Sequence, residues 1–384
     1  MRIDRRLFLG SAAAAGVGLL AAPHVAVARA MTERRFIFIV QRGAADGLSI
    51  VPPAADPAFP ALRGQFTDWT GGARLDSLFT LHPALAETGR MYGAGEALFV
   101  HAVASPYRDR SHFDGQNVLE TGGNAAYQLR DGWMNRLLGL LPQAEARAIA
   151  VSATLPVALR GKREVSSYAP SNLPAASEDL LARVGDLYQA DRQLAPLWAE
   201  AMQTRKLTSD LASDGGRNAA ATGALAARLL AGAEGDRIAF IETGGWDTHS
   251  GQKARIAAQL RGLDAMLAAL RTGLGPAWSD TLVLVATEFG RTAAPNGTGG
   301  TDHGTGSVAM LLGGAVKGGR VISDWPGLKP AALYELRDLR PTQELDALIS
   351  NAIAQHYALD LPRVMTTLFP NGTKPRRMDG LIRA

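Results

Sequence analysis

Five short apolar runs constrain this chain more than any other feature: residues 35–40, 97–103, 237–242, 281–287 and 308–312. Each is rich in Val, Ile, Leu or Phe and is too short for a buried helix, so each reads as a strand buried on both faces. Helical stretches lie between them, over 114–121, 177–211, 217–233, 252–273 and 342–357. Apolar strands alternating with helices predict an α/β fold, a mostly parallel sheet with helices on both faces. No repeat of fixed period interrupts the pattern. The expected organisation is one domain over 31–384, with a helical insertion between about 175 and 235 and a soft linker at 210–216. At 47% apolar residues the chain has ample material for one large core.

The first thirty residues stand apart. Asp4, Arg5, Arg6, Leu7, Phe8 and Leu9 place an Arg pair ahead of apolar residues, at the spacing of a twin-arginine signal. A mildly apolar Ala- and Gly-rich run follows, and Ala28-Arg29-Ala30 gives the small-x-small pattern of a cleavage site. The expectation is a removable signal over 1–30, engaging the twin-arginine translocase and delivering a folded protein to the periplasm or beyond. No run of some 18 apolar residues predicts a membrane span in the mature chain. The leader also supplies most of the net charge: with its four Arg and one Asp set aside, +4 becomes +1, from 36 basic and 35 acidic residues. No basic stripe marks a nucleic-acid partner. Cys is absent, which excludes thiolate metal sites and a Cys nucleophile. Any metal must be held by His and carboxylates, a donor set for zinc, manganese, magnesium or calcium.

In open parallel sheets, ligands bind beyond the carboxyl ends of the strands. The first run leads into Asp46, bracketed by Gly43 and Gly47. The third leads into Asp247 and His249, the fourth into Glu288 and Arg291, and a Gly-rich loop carries Asp302 and His303 up to the fifth. Carboxylates and imidazoles meeting at one sheet edge are what a divalent cation requires. Each residue also has an ordinary structural reading: Asp247 as a helix cap, Asp302 in an Asx turn, Glu288 paired with Arg291, Asp46 in a tight turn. All of these must fall at the same edge at once, which favours a shared site of Asp46, Asp247, His249, Glu288, Asp302 and His303. A second cluster, residues 105–114, precedes a helix. Ser111 is either its N-cap, with Asp114 completing a capping box, or a hydroxyl nucleophile in the positive field of the helix start, and the two roles are compatible. His112 and Asp114 are then acid/base or supporting groups. Arg42 and Arg291 are candidate clamps for an anion.

These segments resemble a bacterial family catalogued as domain of unknown function 1501. The resemblance rests on the leader, residues 42–48 (RGAADGL), 81–85 (LHPAL), 110–113 (RSHF), 245–249 (GWDTH), 287–292 (TEFGRT), 300–304 (GTDHG) and 312–314 (LGG). That family is similar in turn to the alkaline phosphatase and sulfatase superfamily, metal-dependent hydrolases of phosphate and sulfate esters. The resemblance implies an alkaline-phosphatase-like fold and a small anionic ester as substrate. It implies Asp46 as a first metal ligand, Asp247 with His249 as a later pair, His303 as a final imidazole, and the nucleophile in the region of Ser111. Phe289 departs from the pattern, because it stands where a ligand His is expected. The alternative function is a non-catalytic exported binding or assembly protein that keeps a degenerate hydrolase fold.

Overall fold

A computed structural model describes residues 33–67, 71–142, 146–169, 178–189, 191–208, 219–232, 235–372 and 376–383. The expected signal over 1–30 and the expected linker at 210–216 lie outside them. Nine strands form one sheet: β1 (Arg35–Gln41), β2 (Ala97–Ala104), β3 (Ala148–Val151), β4 (Ser166–Ser167), β5 (Ile238–Thr243), β6 (Thr281–Ala286), β7 (Ser307–Leu312), β8 (Arg320–Ile322) and β9 (Gln343–Glu344). The order is β4-β3-β5-β1-β6-β7-β2-β8, with β9 pairing to β2. All neighbours run parallel except at β7, which is antiparallel to both β6 and β2. The sheet is thus mixed and mostly parallel, as expected.

The five predicted strands are the five long ones. Four further strands were not legible, because β4, β8 and β9 have two or three residues each and β3 has four. Strands this short carry no periodicity to detect.

The side-chain alternation of a strand divides the core in two. Phe36, Phe38 and Val40 of β1 face one cluster with helices Trp133–Leu138, Leu345–Tyr357 and Leu361–Leu368. Ile37 and Ile39 face the other, with helices Ala86–Gly93, Ala219–Leu230 and Gln252–Leu274. Helices therefore cover both faces, which lets every residue of β1 be buried. Within the stretch expected as an insertion, helices Glu178–Tyr188 and Leu194–Thr208 precede Ala219–Leu230, whose Leu225, Leu229 and Leu230 belong to the sheet core. Among the described residues, no helix is long and apolar enough to cross a membrane.

The reversal at β7 has a consequence for the site. The start of an antiparallel strand lies at the same edge as the ends of its parallel neighbours. The 287–306 connection leaves the end of β6 and enters the start of β7 without crossing the sheet, so Glu288, Asp302 and His303 stay at one edge with the β1 and β5 loops.

Candidate metal centre

Three imidazoles and one carboxylate meet at this edge. His112, Asp247 and His303 each offer a ligand atom, all within 4.8 Å of one another. His249 joins them, its Nε2 lying 3.0 Å from Asp247 Oδ1 and 3.0 Å from His303 Nε2. His303 Nε2 is 3.4 Å from Asp247 Oδ1, and His112 Nε2 is 3.6 Å from Asp247 Oδ2.

What fixes these rings is the other nitrogen of each. His112 Nδ1 meets Glu288 Oε1 at 2.9 Å, His249 Nδ1 meets Asp302 Oδ1 at 3.0 Å, and His303 Nδ1 meets the carbonyl of Arg110 at 2.9 Å. Carboxylates and carbonyls only accept, so each Nδ1 carries the proton, a placement assigned from the hydrogen-bond network. Each ring, when neutral, then presents an Nε2 lone pair to the others. Two such lone pairs 3.0 Å apart repel unless a proton or a cation lies between them. His112 Nε2 is moreover buried and without a hydrogen-bond partner. Ligand atoms about 2.0–2.2 Å from a tetrahedral cation lie roughly 3.4 Å from each other, close to the separations here. The donor set fits a metal ion, with His112, Asp247 and His303 at the required mutual spacing and His249 outside that group, adjoining it through Asp247 and His303.

Glu288 and Asp302 are therefore not at the centre but behind it. Glu288 is fully buried, and burial opposes its charge. Hydrogen bonds from His112, the Gly43 N–H (2.8 Å) and Gln116 (3.2 Å) nevertheless hold its carboxyl below the usual range. The Glu288 hydrogen bond in turn raises His112. Asp302 is held low by Asn296 and then His249. His303 is pushed down, mainly by burial and next by the charge of His112. A carboxylate behind a ligand imidazole sets its tautomer and orientation, a familiar arrangement around bound metals.

Local backbone explains how the sequence reaches this geometry. His112 opens helix His112–Thr121, with Ser111 as an extended N-cap whose side chain makes no capping bond, so the expected capping box with Asp114 does not form. Gln116 follows His112 by four residues and shares its helix face, which is how both reach Glu288. Gly43 has φ +116°, and a Cβ there would sit 2.5 Å from the Asp247 nitrogen. Phe289 is buried, with its ring 5.1 Å from that of His112 and 5.4 Å from that of His303. The side chain that is not a ligand packs beneath two that are placed as ligands.

Three predicted residues are committed elsewhere. Asp46 is buried with its carboxylate bound to Arg63, Gln252 and Ser49 (2.7 Å), and it caps the Leu48 N–H at 3.1 Å. It has no contact with the imidazole cluster. Arg291 is buried, with Nη1 donating to Asp247 Oδ1 at 2.7 Å and its remaining N–H groups to Thr301. Although burial opposes it, this pairing holds the Asp247 carboxyl low. Arg42 is spent on Glu242 (2.6 Å), Glu120 (2.8 Å) and Gln116 (3.0 Å). The structure adds residues that sequence reasoning missed: Gln116, Arg63, Gln252 and the carbonyl of Arg110. Only Gln116 had a signal, its helical spacing from His112.

Among solved structures, Ps i-CgsB is similar at 11% identity, covering 88% of this chain and 75% of that one, with a TM-score of 0.38. Its complex with k-i-k-neocarrahexaose gives 10%, the same coverages and 0.37. The C-terminal periplasmic domain of EcEptC from Escherichia coli, solved in complex with Zn, gives 9%, 73%, 72% and 0.34. Scores this low carry no argument about this chain. No curated protein matches the sequence. The family model described as "Protein of unknown function (DUF1501)" matches residues 92–358, well over half of the sequence, and the chain belongs to that family.

Proposed function

We propose that this protein is an exported metal-dependent hydrolase whose centre holds a single cation through His112, His249, His303 and Asp247, acting on esters of phosphate, sulfate or a related oxyanion. The observation that carries the proposal is the arrangement of three rings, each with Nδ1 tied back and Nε2 directed at the same carboxylate. Three imidazoles and one carboxylate favour zinc or another borderline d-block ion over magnesium or calcium, which take oxygen-rich sets. When bound, such an ion supplies Lewis-acid chemistry to an ester oxygen. The chain's own residues do the rest. Glu288, Asp302 and the Arg110 carbonyl orient the imidazoles, and Arg291 fixes Asp247. Ser111 stands at the start of a ten-residue helix beside His112, where the local field favours a developing oxyanion. Its hydroxyl is the proposed nucleophile. The ester hydrolase reading and the periplasmic or secreted destination both lean on the family resemblance and the leader.

A second, non-catalytic reading has one observation in its favour. Arg42 and Arg291 are bound to carboxylates, so neither is free to hold a substrate anion. One experiment separates the readings. The mature protein is purified, its metal measured by mass spectrometry, and phosphatase, phosphodiesterase and sulfatase substrates assayed with and without chelator. The hydrolase reading expects about one metal per chain, chelator-sensitive turnover, and loss of turnover in Ser111→Ala with metal retained. Metal bound with no turnover on any substrate supports the binding module. A metal-free wild-type protein sinks both forms of the metal centre.

A further inference from the structure

A cavity of about 370 Å3 opens where the end of β2 meets the start of helix Leu345–Tyr357. Ser105, Arg108, Gln343, Glu344, Asp346 and Met365 line it. It is separate from the metal centre: Ser105 donates to the carbonyl of Glu288 at 3.3 Å, on the main-chain side of that residue, whereas the Glu288 carboxylate faces His112.

Gln343, Asp346 and Arg108 in this wall have hydrogen-bonding capacity that the described residues do not use. Gln343 is only 7% exposed, yet its amide has no partner, and it is not among the polar atoms sealed from solvent. Gln343 lines both this cavity and a second one bounded by Arg320, Asp324 and Arg377. The Asp346 carboxyl is half-buried and also without a hydrogen bond. Burial, then the charge of Glu344, pushes it up to about 7, so near neutral pH it both donates and accepts. Arg108 places one nitrogen on the carbonyls of Ser105 and Tyr107, and the rest of its fork finds no acceptor. A buried amide left unsatisfied costs stability unless something else satisfies it.

We propose that this cavity is a second binding site, for a small neutral polyhydroxylated molecule of the monosaccharide or polyol class. Amide, carboxyl and guanidinium groups each present two hydrogen-bonding atoms in one plane, which matches a pair of adjacent hydroxyls. The opposite charges of Arg108 and Glu344 leave the wall near neutrality. A dianion would meet Glu344 and Asp346, and a cation would meet Arg108 and the positive end of a thirteen-residue helix. Met365 gives an apolar surface for the carbon face of the ligand. The volume lies within the usual range for small-molecule sites.

The test is saturation-transfer NMR and titration calorimetry on the mature protein, with glucose, galactose and glycerol as probes and inorganic phosphate and glycine as comparators. The expected result is saturable binding of at least one hydroxylated probe, weakened tenfold or more by Gln343→Leu and by Asp346→Leu and unchanged by Asp247→Ala. As a readout independent of the variants, the Met365 methyl resonance of the wild type shifts on adding the same probe. The proposal is overturned if none of the three hydroxylated probes binds, if phosphate or glycine shifts the Met365 methyl at lower concentration than they do, or if their binding leaves Met365 unmoved.

Discussion

Replacing Asp46 by Ala distinguishes a structural carboxylate from a metal ligand. Asp46 and Arg63 are 1% and 0% exposed, and Arg63 also donates to Ser49 (2.7 Å) and to the carbonyls of Thr292 and Ala293 (3.3 and 3.1 Å). Removing the carboxylate leaves a guanidinium buried without a counter-charge, which costs about 3–5 kcal/mol. The Gln252 amide and the Ser49 hydroxyl lose a shared acceptor as well. For a folded chain of this size the unfolding entropy is about 0.7 kcal/mol/K, so Tm should fall by roughly 4–7 °C. Metal content should stay at the wild-type level, because no imidazole touches Asp46. The assay is thermal unfolding by circular dichroism beside elemental analysis of the folded variant. A double variant, Asp46→Leu with Arg63→Met, should recover much of the loss, since a buried pair replaced by apolar groups is often neutral. An Asp46→Ala protein that keeps its Tm but loses its metal would refute this reasoning and restore Asp46 as a ligand.

Three further predictions follow from particular contacts. Glu288→Gln keeps the shape but weakens the acceptor behind His112, and should lower metal affinity by about 10–100-fold in a competition titration with a chromogenic chelator; unchanged affinity would deny Glu288 its supporting role. His101 and His356 are buried and neutral, their pKa values pushed down mainly by burial to about 4 and about 3. Depressed folded values mean that their stabilisation is present above the unfolded pKa near 6.5 and lost as pH falls below it, by up to about 1.4 kcal/mol per pH unit for each; denaturant midpoints measured from pH 7 to 4 should decline accordingly, and His101→Gln should flatten the slope. Asp346 has the opposite sign. Its raised pKa of about 7 means that stability is greatest below the unfolded value near 3.8 and is lost as pH rises toward and through 7. Asp346→Asn should therefore be more stable than wild type at pH 8, and the gain should vanish at pH 4.

The long strands were legible because β1, β2, β5, β6 and β7 carry six to eight residues each and are almost wholly buried, so the apolar run is itself the structural signal. Helix Leu361–Leu368 was missed although its start is written in the chain: Asp360 accepts from the Arg363 N–H at 3.0 Å, and Pro362 lies in the first turn. Strand β9 could not be found, because its two residues pair only once β2 is in place.

For the site, sequence alone determined which residue types gather at which strand ends: Asp247 with His249 after β5, Glu288 after β6, Asp302 with His303 before β7, and His112 at the start of a helix. It did not determine which of them face one another. Tertiary structure assigned His112 to the centre, moved Glu288 and Asp302 behind the imidazoles, and gave Asp46 to Arg63. The physical reason is that a carboxylate has the same composition whether it faces a cation, an imidazole N–H or a guanidinium. Only its distance from each, set by packing across residues far apart in the chain, decides among them.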